Sequence, residues 1–147
     1  KLLSLIGVQN KNNENKIVTT LTKDIAINIT CDAVDKYLTI FSAYKIKPLV
    51  FNFINVIEKN LEIVLTNSSI TKIFIHLSCA IERILLKDFI LTSQEEMSSY
   101  IINNERYVNI TNKALEELTD NFNITIPTNE LYYICEIVKD AYKQATT

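Results

Sequence analysis

The sequence predicts an all-α protein, a bundle of five or six helices behind a short N-terminal linker. Three observations predict it. Among 147 residues there are only one glycine and two prolines, too few turn formers for a many-stranded β protein. Apolar residues make up 48% and charged residues 22%, the balance of a chain that buries a core. Most of the apolar residues recur at helical and not alternating spacing. Helix formers are not abundant, since Ile, Asn and Thr are common, so packing must hold these helices more than propensity does.

The elements follow in order. KLLSLIGV, 1–8, reads as the end of a buried strand, and QNKNNENK, 9–16, as a polar loop. Ile17 to Ile29 fits a helix or two strands equally well. Residues 1–30 are therefore expected to be a linker or the tail of a preceding domain, and 31–147 a helical domain. Because the chain starts at Lys1 in mid-pattern, it reads as a piece of a longer protein. Thr30 is placed to cap a helix from Cys31 to about Phe41. Ser42 offers a second start. Pro48 suits the first turn of a helix, so the next is expected to begin properly near Lys47 and run to about residue 64.

TNSS, 66–69, supplies a break and a cap for the best-marked helix, Ser69 to Asp88. On a wheel of about 100° per residue, Ile70, Ile73, Phe74, Leu77, Ala80, Ile81, Ile84 and Leu85 cover one face. Ser93 with Glu96 forms a capping-box pattern opening a helix to about Asn104, with Met97, Tyr100 and Ile101 inward. Asn109 or Thr111 starts another, striped by Leu115, Leu118 and Phe122. ITIPTN, 124–129, is an extended connection. Thr128 caps a last helix, in which Leu131, Ile134, Cys135, Val138 and Tyr142 recur on one side.

Charge and cysteine usage narrow the function. A net charge of −2 with no basic stripe argues against direct nucleic-acid contact by this domain. Cys31, Cys79 and Cys135 match no zinc spacing and read as buried, reduced thiols of a cytoplasmic protein. No apolar run reaches the length of roughly 18 residues that a membrane helix needs. Without a glycine-rich phosphate loop, nucleotide binding is not expected. Glu95–Glu96 and Glu116–Glu117 are neighbours in sequence but point about 100° apart on a helix, so they read as solvated faces. Tyr132 and Tyr133 read as core and rim packing.

The candidate site residue is His76, the single histidine, at the rim of the Ser69–Asp88 apolar face. Its ordinary reading is a packing residue with one satisfied nitrogen. A metal site would need further ligands, and Glu62 and Glu82 are weak substitutes for histidines. A thiol nucleophile would pair Cys79 with His76, but no glycines shape an oxyanion hole. The remaining role is phosphoacceptor, for which a neutral imidazole is a good nucleophile near neutral pH. Arg83, two turns on and on the same side, is the candidate phosphate partner, its ordinary reading being an ion pair within the helix.

FIHLSCAIERIL, 74–85, resembles the central signature of the PTS regulation domain (PRD), in which a histidine precedes a short apolar stretch and an arginine. YLTIFSAYKIKPLVFNFINVIE, 37–58, is similar to the first PRD helix and its lead-in. IPTNELYYICEIV, 126–138, is similar to the last, usually entered through a proline and an acidic residue. The lead-in and the IHL–A–ER pattern look most like the C-terminal PRD of the large LevR-type bacterial transcriptional activators. The resemblance implies a homodimeric, non-enzymatic regulatory module without cofactors or metals. It implies that HPr or an enzyme IIB phosphorylates His76 according to sugar supply, and that residues 2–10 end an enzyme IIB-like region or its linker. The region 133–138 lacks the second acceptor histidine that many such domains carry, which leaves His76 alone. The alternative is a helical interaction domain in which His76 is structural.

Overall fold

The computed structural model describes residues 11–87 and 94–147. Six helices lie within them: α1 Lys11–Asp35, α2 Ala43–Leu61, α3 Asn67–Leu86, α4 Gln94–Asn103, α5 Glu105–Phe122 and α6 Thr128–Ala145. No strand occurs among the described residues, so the all-α bundle expected from the sequence is the fold found. The pattern 1–8 and the Ser93 cap lie outside the described residues.

The helices close into a ring. α2 packs on α5, α5 on α6, α6 on α3, and α3 back on α2, while α1 lies across α2 and α3 and α4 rests on α5 and α6. One apolar cluster fills the ring. Phe53 of α2 and Phe74 of α3 are fully buried at its centre, among Ile54, Ile57, Ile73 and Leu77. Such spacings of three and four put each set on one helix face, as ring closure requires.

Several boundaries differ from expectation, each for a physical reason. Thr30 does not cap a helix. α1 runs through it, and its hydroxyl donates back to the Ala26 carbonyl at 2.8 Å. The polar run from Lys11 to Lys16 is helical and not loop, while Ile27, Cys31 and Val34 carry α1 into the core. α2 starts at Ala43 and not near Lys47. The Asp35 carboxylate accepts from the Ala43 N–H at 2.8 Å and from the Ser42 hydroxyl at 3.0 Å, and the Ser42 oxygen in turn accepts from Tyr44 N. This capping satisfies N–H groups that Pro48, further in, has no part in. α5 begins at Glu105 and not at Asn109 or Thr111. At the start of α6, Pro127 occupies the capping position and Thr128 is already helical. Four residues that helical spacing places on inward stripes are exposed: Leu85 by 38% and Ile101 by 37%, and, beyond the ends of α1 and α2, Tyr37 by 82% and Val64 by 61%.

Candidate functional site

α3 is held on both flanks. Its N-terminus is fixed by Thr66, whose side chain accepts from Ser69 N at 3.1 Å, and it ends on Lys87 in the left-handed region at φ 57°. On the side of α1, Glu82 grips the connection to α2. Its carboxylate accepts from Thr39 N at 2.6 Å, the Thr39 hydroxyl at 2.5 Å and Ile40 N at 3.2 Å. These bonds hold the Glu82 carboxyl below its usual range.

On the side of α6, two ion pairs join the helices. Lys72 Nζ lies 3.2 Å from Asp140 Oδ2. Arg83 donates through Nε to Glu130 Oε2 at 2.9 Å and through a terminal nitrogen to Oε1 at 2.8 Å. The order of the partners shows that α3 and α6 run antiparallel. Lys72 and Arg83 are separated by about 16 Å of helix rise, Glu130 and Asp140 by about 15 Å, so the pairs keep register along the seam. Arg83 thus pairs between helices and not within its own.

His76 sits between these pairs, one turn after Lys72. It is exposed, yet one side of its ring covers an apolar shelf. Below it is a void of about 10 Å³, lined by Phe53, Ile73, Leu77, Ile134, Ile137 and Val138, no larger than one water and without polar partners for it. Among the described residues, no hydrogen bond occupies either ring nitrogen. Burial lowers the His76 pKa below its ordinary value of 6.5, and the charges of Lys72 and Arg83 lower it further. The ring is therefore neutral at pH 7, with one nitrogen carrying a free lone pair.

The sign of that shift gives a first expected result. The folded ring binds its proton less readily than the unfolded one, so His76 favours the fold above pH 6.5. That contribution is lost as pH falls through the lowered folded value. His76→Gln should therefore flatten the fall in denaturation midpoint between about pH 7 and pH 5. Parallel curves for variant and parent would show that the ring does not feel its apolar shelf.

Sequence reasoning singled out His76 and Arg83 as candidates but not Lys72, Asp140 or Glu130, which the structure places beside them. Glu130 had a legible signal: it lies four and eight residues before Ile134 and Val138, on the buried stripe of α6, where a carboxylate needs a cation. Cys79, three residues after His76, is half-buried, and burial pushes its thiol up from its ordinary value, the reverse of what a nucleophilic cysteine requires. Cys31 and Cys135 are buried free thiols, and burial raises Cys135 to about 11. Glu95, Glu96, Glu116 and Glu117 are all exposed. Tyr132 meets Tyr100 edge-on at 4.6 Å, while Tyr133 is 54% exposed. No helix among the described residues is long and apolar enough to cross a membrane.

A comparison with protein families matches residues 51–141 to the model described as PRD domain. The match contains α3 entire, both ion pairs and His76. No curated protein and no solved structure matches the chain.

Proposed function

Because this chain belongs to the PRD domain family, we propose that it is the sugar-responsive switch of a bacterial transcriptional regulator, with His76 as its phosphoacceptor. One observation carries the reading: a neutral, unbonded imidazole presented at the surface between two cations. The lone pair of its free ring nitrogen attacks the phosphorus of a phosphorylated PTS protein, HPr or an enzyme IIB. A new N–P bond forms, and the donor's bond to phosphorus breaks with its electron pair remaining on the donor. Lys72 and Arg83 lower the cost of bringing an anionic donor to this face. Arg83 serves as a fixed positive charge near the product, since two of its nitrogens stay on Glu130.

The product adds roughly two negative charges to the seam between α3 and α6. In this reading the added charge shifts the packing of a homodimer in the cytoplasm. Exposed apolar side chains along and just beyond α1, Ile25, Ile29 and Tyr37, are in keeping with a partner copy. In this reading residues 1–30 come from the side of a preceding domain, an enzyme IIB-like one if the parent is a LevR-type activator; most of α1 lies among them, and from Ile27 onward that helix is built into the core.

Incubation with enzyme I, HPr, the cognate enzyme IIB and labelled phosphoenolpyruvate should label the chain. The label should be lost in strong acid and absent from His76→Ala, and sedimentation should differ between the labelled and free forms. Label surviving in His76→Ala would place the acceptor elsewhere, and no label at all would leave His76 a structural residue of an interaction domain.

A further inference from the structure

We propose that Lys72, not Arg83, is the cation that closes on the phosphoryl group of His76, and that it leaves Asp140 to do so, untying α3 from α6 at that end. The inference rests on His76 being phosphorylated and deepens that reading by naming the moving part.

Reach decides first. Residues four apart on a helix face each other with Cβ atoms about 6 Å apart, so Lys72 already flanks the ring. Arg83 is seven residues on, about 10 Å along the axis. Freedom decides second. Arg83 is held by two hydrogen bonds to a carboxylate whose side chain is 3% exposed. Drawing it away would leave that carboxylate unpaired inside the bundle. Lys72 and Asp140 are joined by a single contact with side chains 50% and 42% exposed, so either partner can turn to water when the other leaves. Of the other basic groups on this stretch of α6, Lys139 is turned toward α4, pairing with Glu136 at 3.3 Å and lying over the Tyr100 ring, and Lys143, in the last turn of α6, lies seven residues after Glu136 on the side that Tyr107 of α5 also lines.

Charge supplies the drive. A phosphoryl group beside Lys72 outbids one carboxylate, having about twice its charge and three acceptor oxygens. It also repels Asp140, which then has lost its cation across the seam. Phosphorylation thus exchanges a bond between helices for a bond within α3. The Arg83–Glu130 pair stays closed, so the seam loosens at the C-terminal half of α6 and not at its start.

The test uses phosphoramidate, which modifies imidazole without any protein donor: a ring nitrogen takes the phosphoryl group and ammonia leaves. The second ionisation of the phosphoryl group is then followed by phosphorus NMR in the parent, Lys72→Gln and, as a charge-matched control on α5, Lys113→Gln. In Lys72→Gln it should rise by about half a pH unit or more; in the control it should stay with the parent. Amide exchange over residues 137–145 should quicken about two- to fivefold on phosphorylation of the parent. In Lys72→Gln it should be fast from the start and unchanged by the phosphoryl group. Lys72→Gln titrating with the parent, or exchange in the parent unmoved, overturns the proposal, as does failure of the reagent to modify His76. If Lys72 responds to the chemically added group but no PTS donor labels the chain, the Lys72 contact stands and the assignment to sugar signalling fails.

Discussion

Arg83→Met should lower stability by about 3 kcal/mol, the low end of what breaking a buried ion pair costs. Glu130 is 2% exposed and accepts from two Arg83 nitrogens. Without the guanidinium its carboxylate keeps its burial and loses its main compensation. The start of α6, whose first turn it occupies, repays only part through the helix dipole. The figure belongs at the low end because the Arg83 side chain is 42% exposed, so water stands in for some of what is lost. The double variant Arg83→Met with Glu130→Met should recover to within about 1 kcal/mol of the parent, since two apolar side chains of similar length remove the orphaned charge. Urea denaturation of the two single variants and the double one measures the coupling. If the double variant is as unstable as the sum of the singles, the pair contributes nothing as a pair, and α6 is held to α3 by apolar packing alone.

That pair also shows how far the sequence could be read. Helix α3 was legible because eight apolar positions mark its face and a polar run precedes it; seven of the eight are buried or nearly so. His76 at the rim followed from the same wheel. The cation-to-carboxylate pairing across 47 positions did not, because helical periodicity says which residues face inward but not which other helix they face. The first helix failed for a different reason. KNNENK offers no apolar stripe and asparagine is a poor helix former, yet the helix is continuous through it into a segment that packs on α2 and α3. Leu85 and Ile101 were placed inward by spacing alone, but each lies near the end of its helix, where the neighbouring element no longer covers the whole stripe. The Asp35 cap on α2 was hidden too, since a side chain on the preceding helix supplies it.

Phe53→Ala should cost about 3–5 kcal/mol, the range for removing a fully buried aromatic ring, and its consequence reaches the candidate site. Phe53 belongs to α2, yet its ring borders the void beneath His76 together with residues of α3 and α6. It is fully buried, so little solvent stands ready to fill the gap. Three helices meet on this one side chain, and a side chain lost there leaves a cavity that one of them would have to move inward to close. Phe53→Leu should cost much less, since most of the volume remains. The two variants separate support of the fold from support of the site. If the apolar shelf is what keeps the His76 ring neutral and outward, Phe53→Leu should stay folded at 25 °C, yet its ring should become easier to protonate or slower to take up a phosphoryl group. The His76 proton signals followed against pH would show the first effect directly. A loss below about 2 kcal/mol in Phe53→Ala would mean that the helices collapse readily onto the gap. The shelf under His76 would then be yielding, and the position of the imidazole would be set by the ion pairs on either side of it.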